Sequence, residues 1–479
     1  VTRRTKIIAT IGPASDSEPV LRQMIQAGMN IARLGLAHGS HDEAQERVEL
    51  IRRIAAEEKT PVGILIDLPG PKVRSANFGQ ELVTFAEGSK LTLRVGNHAS
   101  TAQNVEVDYA GLISDIDPGD VVSIGDGRVM VKILEATDDQ LNAEVAHGGT
   151  LSGRPGIHIP SERLSLVTPT PEDMVAVERF AALKVDMLAV SFVRSAADLV
   201  RLGTPSHPEG PLVIAKIETA EAIKNLPEII EASGAVMVAR GDLGLECGIE
   251  GLPSIQKHII RECIALGRPA ITATQMLETM VENPEPTRAE VSDVANAVWD
   301  GSSAVMLSGE TAIGVDPVNV IATMARIVDH ADQDFDHRGW ADDLAEIRLT
   351  DRKAPETSIT DAMTLATARA VNELGIKTVL CISGSGFTVR SMARFRPKAR
   401  ILGYSANENT VGQLSLSWGT EPRLLPTEGP IEGRIMAAVN LARDSGDLQA
   451  GELVAVLAGT SESSRSTNVL RIQIVPTVK

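Results

Sequence analysis

Three short stretches decide the fold: Ala215-Lys216-Ile217-Glu218, then Met237-Val238-Ala239-Arg240-Gly241-Asp242-Leu243-Gly244, then Ala273-Thr274-Gln275-Met276-Leu277-Glu278. Each leaves a short apolar run, closes it with polar or charged residues, and passes into a helix-like pattern. Consecutive strands of a parallel sheet deliver side chains to one mouth in this way. Lys216, Glu218, Asp242 and Thr274 are therefore expected to converge, bringing together an ammonium, two carboxylates able to hold a hard divalent cation, and a hydroxyl. Such a set suits chemistry on a phosphorylated or carboxylated small molecule.

Working outward, eight apolar runs of strand length recur with helix-like segments between them, at 6–11, 30–34, 62–68, 187–192, 213–217, 235–239, 269–273 and 304–307. This alternation predicts an α/β fold, a (β/α)8 TIM barrel. The runs close in turn on Gly12 and Pro13, Arg33, Asp67, Ser191, Lys216 and Glu218, 240–242, Thr274, and 308–311. In such barrels the site lies at the carboxyl ends of the strands. Alternating stretches at 90–95, 120–133 and 141–145 sit among Gly, Asp and Asn, and predict a small β-barrel lid inserted after the third run. Strand-like runs at 378–382, 400–404, 452–458 and 468–475 alternate with helical patterns and predict a separate three-layer α/β domain. The expected domains are 1–74 with 157–331 (barrel), 75–156 (lid), 332–356 (a polar, acidic connector) and 357–479 (C-terminal α/β domain).

The net charge of −17, from 46 basic and 63 acidic residues, argues against nucleic acid or an anionic membrane as partner, because both reward basic surface. An anionic substrate then needs a local cluster of cations or a metal. Cys247, Cys263 and Cys381 stand far apart without a ligand pattern, which fits a reducing cytoplasm and argues against a disulfide framework or structural zinc. No stretch approaches the ~18 apolar residues of a membrane span.

Several motifs in order carry a family resemblance: Lys6-Ile-Ile-Ala-Thr-Ile-Gly-Pro-Ala-Ser15, Ala27-Gly-Met-Asn-Ile-Ala-Arg-Leu34, Gly70-Pro-Lys-Val-Arg74, the three opening stretches, Pro286-Thr-Arg-Ala-Glu290 and Leu307-Ser-Gly-Glu-Thr311. Through them the chain resembles the pyruvate kinases over nearly its whole length. The resemblance implies a barrel, a β lid, a C-terminal α/β domain and a homotetramer. It also implies glycolytic phosphoryl transfer from phosphoenolpyruvate to ADP, giving ATP, with magnesium or manganese as cofactor. By the same resemblance Lys216 stabilises the enolate and the phosphoryl group in flight, and Arg33 clamps the phosphate of phosphoenolpyruvate. Glu218 and Asp242 hold the metal, while Gly241, Asp242 and Thr274 receive the substrate carboxylate. Arg74, His38 and Pro13 lie by the nucleotide. Read without the resemblance, Lys216 is also a salt-bridge partner, Glu218 and Asp242 are surface carboxylates, and Thr274 is a helix N-cap.

The pattern departs from the family in places. After the arginine of the second run the family carries Asn-Phe-Ser-His, and this chain has Gly35-Leu36-Ala37-His38. Neither Gly35 nor Ala37 offers the side-chain oxygens of the family's monovalent-cation site, where Asp67 remains and Leu68 replaces a frequent threonine. Lys72 stands where potassium-requiring members have glutamate. An ammonium can replace the charge of the ion, so potassium binding is not expected and activity without it is. The family's lid lysine is Pro155 here, with Arg154 beside it, and Glu43 occupies a position near the adenine where an aromatic is common. Ser383, Ser385, Gly386 and Thr388 follow a strand and precede a helix rich in arginine over 390–396, a phosphate cradle for a sugar-phosphate or AMP effector, or simply a capped Ser/Gly turn. Two other functions share the motifs: a paralogue that binds phosphometabolites as a regulatory protein, and a lyase or aldolase working on the enolate of pyruvate.

Overall fold

Eight strands, Lys6–Thr10, Ile31–Gly35, Gly63–Leu68, Met187–Val190, Leu212–Ile217, Ala235–Ala239, Ala270–Ala273 and Ala304–Leu307, pair in chain order into a closed parallel barrel. The last strand returns to the first, with Ala304 opposite Lys6. Every strand falls within two residues of a run read from the sequence. The runs are legible because both faces are buried, so the residues read as continuous apolar stretches rather than alternating ones. One face fills the barrel interior with Ile8, Leu65, Met187, Ile214, Met237 and Ile271. The other packs under the surrounding helices through residues such as Ile7, Ile64, Leu188 and Val238. The computed structural model describes residues 3–37, 39–125, 127–161, 163–350, 355–427, 429–460 and 467–477, with the side chains of 347–350 and 355–357 excepted.

The insertion is an open six-stranded sheet rather than a closed small barrel. Its order is Ile157–His158, Val121–Ile124, Val129–Ala136, Leu141–His147, Lys90–Val95, Asn104–Val107, and a two-stranded ribbon, Val83–Phe85 with Gly149–Leu151, lies beside it. The single alternating stretch expected over 120–133 is a hairpin, broken where Gly125 and Gly127 take positive φ that only glycine adopts freely. The chain leaves the barrel and returns to it side by side, through an antiparallel bridge between Arg74 and Gly156.

The stretch 332–356, read as a connector, is largely helical. A helix spans His337–Thr350 and turns Ala341 and Leu344 inward. It frames the buried Arg396, whose guanidinium donates to Val298 O (3.0 Å) and Ser302 O (2.6 Å). Phe335, Trp340 and Trp418 ring that guanidinium at 4.8, 5.2 and 5.0 Å. This contact fastens the C-terminal domain to the barrel. That domain carries five strands in the order Thr420–Leu424, Arg400–Ser405, Thr378–Ile382, Leu453–Ala458, Val469–Ile474, the last antiparallel. Thr420–Leu424 was not legible as a strand. Its sequence, Thr-Glu-Pro-Arg-Leu, has no apolar run, and its proline is tolerated because it forms an edge. Among the described residues no helix is long and apolar enough to cross a membrane.

Candidate active site

At the carboxyl ends of the strands a chain of charges runs across the barrel mouth. Arg33, in the second strand, donates Nε–H to Asp67 at 2.7 Å and a terminal N–H to Thr10 Oγ1 at 2.8 Å. Asp67, at the end of the third strand and 3% exposed, also lies 3.4 Å from Lys216 Nζ. Lys216 in turn sits 3.0 Å from Glu218 and donates to Ser191 Oγ at 2.6 Å. Burial works against the Lys216 charge, but Asp67 and Glu218 outweigh it and hold the ammonium above its usual range. Burial likewise opposes ionisation of Asp67, yet Arg33 and Lys216 keep it below the usual carboxylate range.

Glu218 points the other way. Burial pushes its carboxyl up, and the charge of Asp242 adds to that push against the pull of Lys216 and of the Phe192 N–H, 2.7 Å away. A buried carboxylate facing a second one is short of positive charge, which a divalent cation would supply. Both groups are hard oxygen donors beside an open cleft, so they fit a magnesium ion that takes few protein ligands. Among the described residues no three acidic, histidine or cysteine side chains gather to hold a metal.

Thr274 follows the seventh strand with φ +67°, and Gln275 has φ +52°. Left-handed backbone at two successive non-glycine residues costs of order 1–3 kcal/mol each and needs outside support. Buried Arg240 supplies it, donating to Ala273 O (3.1 Å) and Thr274 O (2.6 Å) while Asp293 grips its other side at 2.7 and 2.9 Å. So held, Thr274 Oγ1 accepts the Gly241 N–H at 3.0 Å and turns towards the first turn of the helix Arg240–Cys247. Gly241 is exposed there, leaving its backbone open to close approach.

The lid covers this end. A cleft there is lined by Lys72, Ile157, His158, Phe192, Glu218 and Asp242 among others. Lys72 is exposed at its rim and forms no ion pair among the described residues, whereas Asp67 is met by Arg33 and Lys216. Gly35 and Leu36 are half-buried, Ala37 is exposed and Leu68 is buried. Pro13 is exposed on the loop after the first strand, and His38 lies outside the described residues. Arg74 is half-buried at the lid junction, donating to Arg154 O at 3.3 Å. Arg154 pairs with Asp108 at 3.0 Å within the lid. Pro155 accepts the Ser75 N–H at 3.0 Å. Glu43 completes a capping box with Ser40 on the helix His41–Glu57, a structural use that accounts for a carboxylate at that position.

Sequence reasoning missed Thr10, Phe192, Glu246 and Asp293. Glu246 had a signal, its i,i+4 spacing from Asp242 on one helix face; Phe192 acts through its backbone and had none.

In the C-terminal domain Ser383 and Thr388 are buried, and Thr388 Oγ1 meets Thr467 Oγ1 at 2.9 Å. Ser385 O accepts from Arg390 at 2.8 Å, and Gly386 caps the short helix Phe387–Ala393 with φ +76°.

Comparison with known proteins gives a consistent outcome. The family description "Pyruvate kinase, barrel domain" matches residues 2–321, and "Pyruvate kinase, alpha/beta domain" matches residues 361–473. A pyruvate kinase of Geobacillus stearothermophilus is 38% identical over 480 residues, covering 99% of this chain and 80% of its own length. One from Staphylococcus aureus (strain USA300) is 36% identical over 480 residues, with the same coverage.

Proposed function

The chain belongs to the pyruvate kinase family and is a phosphotransferase, and on that premise we propose that it moves the phosphoryl group of phosphoenolpyruvate to ADP, giving pyruvate and ATP in glycolysis, as a cytoplasmic homotetramer. The observation that carries this reading is the Lys216 ammonium, buried at the barrel mouth and kept charged by Asp67 and Glu218. A fixed cation in a site shielded from water stabilises negative charge as it develops on the phosphoryl group and on the enolate oxygen. Arg33, oriented by Asp67 and Thr10, binds the phosphate. Gly241 and Asp242, with Thr274, receive the substrate carboxylate, and Thr274 stands where the enolate carbon takes up its proton. Pro13, His38 and Arg74 serve the nucleotide, and the lid excludes water that would hydrolyse the phosphate in place of ADP.

Magnesium, or manganese in its place, bound by Glu218 and Asp242 supplies positive charge to the substrate oxygens. For the monovalent ion the reading is independence from potassium. Gly35 and Ala37 offer no side-chain oxygen, Asp67 already has two cationic partners, and Lys72 adds a charge at the cleft rim. The turn holding Ser383, Ser385, Gly386 and Thr388 is assigned to a sugar-phosphate or AMP effector. Calorimetry with fructose 1,6-bisphosphate, glucose 6-phosphate, ribose 5-phosphate and AMP tests that, and no heat and no activation from any of them removes it.

The deciding assay is pyruvate formation from phosphoenolpyruvate with and without ADP, magnesium and potassium. ADP-dependent pyruvate that needs magnesium and is indifferent to potassium is the expected result. No ADP-dependent pyruvate under any ionic condition overturns the reaction, and a strict potassium requirement overturns the ionic part alone.

A further inference from the structure

Glu246 lies one turn beyond Asp242 on the helix Arg240–Cys247, so both carboxylates occupy one helix face. Its side chain is 5% exposed, and it accepts hydrogen bonds from two separate segments. Ser161 gives its backbone N–H at 2.8 Å and its hydroxyl at 2.6 Å. Ala220, two residues past Glu218, gives its N–H at 3.2 Å. His158 Nε2, on the strand by which the lid returns to the barrel, stands 3.1 Å away. Burial opposes the Glu246 charge, and these hydrogen bonds more than offset it, leaving the carboxyl below its usual range. The lid hairpin also approaches this helix, since a side-chain carbon at Gly127 would sit 3.3 Å from Leu245 Cδ2. One ionised carboxylate thus joins the lid's return strand to the segment carrying Glu218 and to the segment carrying Asp242.

We propose that Glu246 is a positioning residue that couples closure of the lid to binding of a divalent cation by Glu218 and Asp242, with His158 and Ser161 as the lid's side of the joint. The inference rests on reading Glu218 and Asp242 as the metal ligands. The contribution of Glu246 is to hold the two ligand-bearing segments at one spacing when the lid is down and to release them when it lifts. Such coupling is reciprocal, so a change confined to the lid must weaken the cation, and the cation must quieten the lid.

The test uses the full chain and Mn²⁺ alone, without nucleotide or substrate. Free Mn²⁺ is followed by electron paramagnetic resonance, and backbone hydrogen exchange is followed in peptides spanning 155–161. In the unaltered protein Mn²⁺ slows exchange across 155–161. Both Glu246→Gln and His158→Phe weaken Mn²⁺ binding by about fivefold or more, the lower end of typical coupling, and remove the slowing. The double variant is little worse than Glu246→Gln alone, because the two residues act through one joint. His158→Phe keeps the test decisive if Glu246→Gln fails to fold, since it leaves every contact of Glu218 and Asp242 in place. The proposal is overturned if His158→Phe binds Mn²⁺ as the unaltered protein does, or if Mn²⁺ leaves exchange at 155–161 unchanged. Failure of the unaltered protein to bind Mn²⁺ at all has a different meaning: it overturns the metal reading itself, and this proposal with it.

Discussion

Replacing Lys216 by methionine keeps the length of the side chain and deletes its charge. The side chain is 12% exposed, and its ammonium lies 3.0 Å from Glu218 and 3.4 Å from Asp67. Removing one preorganised donor from a water-shielded site costs about 10²–10³ in kcat, or roughly 3–4 kcal/mol of barrier. The two carboxylates respond differently. Asp67 retains Arg33 at 2.7 Å and stays ionised. Among the described residues Glu218 retains the Phe192 N–H, and it already resists ionisation through burial and Asp242, so its charge becomes more expensive. Breaking a buried pair by removing one partner typically costs about 3–5 kcal/mol, and Glu218 offsets part of this by taking up a proton. The variant therefore folds with a lowered melting temperature. At pH 8, where Glu218 is driven towards ionisation, loss of a neighbouring positive charge leaves Mn²⁺ binding equal to the unaltered protein or tighter. Steady-state kinetics with phosphoenolpyruvate and ADP, beside Mn²⁺ titration by electron paramagnetic resonance, separates the two effects. A kcat within tenfold of the unaltered enzyme, or Mn²⁺ affinity lost together with activity, would refute the assignment of Lys216 to charge stabilisation.

Thr274→Ala removes the acceptor of the Gly241 N–H while leaving the left-handed backbone in place, and a fall of about tenfold in kcat, near 1.4 kcal/mol, is expected with the KM for ADP unmoved. Asp186 is half-buried, with its pKa pushed up to about 6 by desolvation, above the ~3.9 of an unfolded aspartate. The folded state therefore keeps the proton to higher pH, so this group withdraws stability as pH rises from about 4 to about 6 and the loss is complete above that. Asp186→Asn, which retains an oxygen for the Ile64 N–H at 2.8 Å, should raise stability at pH 7 by up to about 3 kcal/mol and make little difference at pH 4; chemical denaturation at the two pH values checks this. Arg396→Lys loses the paired bonds to Val298 O and Ser302 O and the flat stacking among three rings, and thermal unfolding should report a loss of about 3 kcal/mol.

The barrel was readable because strands buried on both faces leave continuous apolar runs, and because a parallel barrel gathers the residues just after those runs. That single rule placed Arg33, Asp67, Ser191, Lys216, Glu218 and Thr274 together from sequence. The edge strand Thr420–Leu424 escaped because one face meets solvent and its proline and charges hide any pattern. The helix His337–Thr350 escaped because its acidic composition reads as linker, while its burial rests on Ala341, Leu344 and contact with the aromatic ring around Arg396, which no local period announces. Which cation meets Asp67 was not legible either. Lys72 was the nearest candidate along the chain, but Arg33 and Lys216 arrive from two other strands with shorter reach.

That exchange of partners bears on why the chain tolerates Gly35 and Ala37. The strand ends place three carboxylates, Asp67, Glu218 and Asp242, against two cations, Arg33 and Lys216, so the site is one positive charge short. The deficit is not shared evenly. Asp67 is pulled below the usual carboxylate range by its two cations, and Glu218 is pushed above it by burial and Asp242. Unmet demand for positive charge is therefore concentrated on the Glu218 and Asp242 side, where the proposed divalent ion would more than satisfy it and leave a net positive site for an anionic substrate. A monovalent cation beside Asp67 would add charge where none is lacking, at the desolvation cost that any buried ion carries. On the proposed potassium-independent reading, side-chain oxygens at positions 35 and 37 would serve that ion alone, and their loss would leave the charge balance at Lys216 undisturbed.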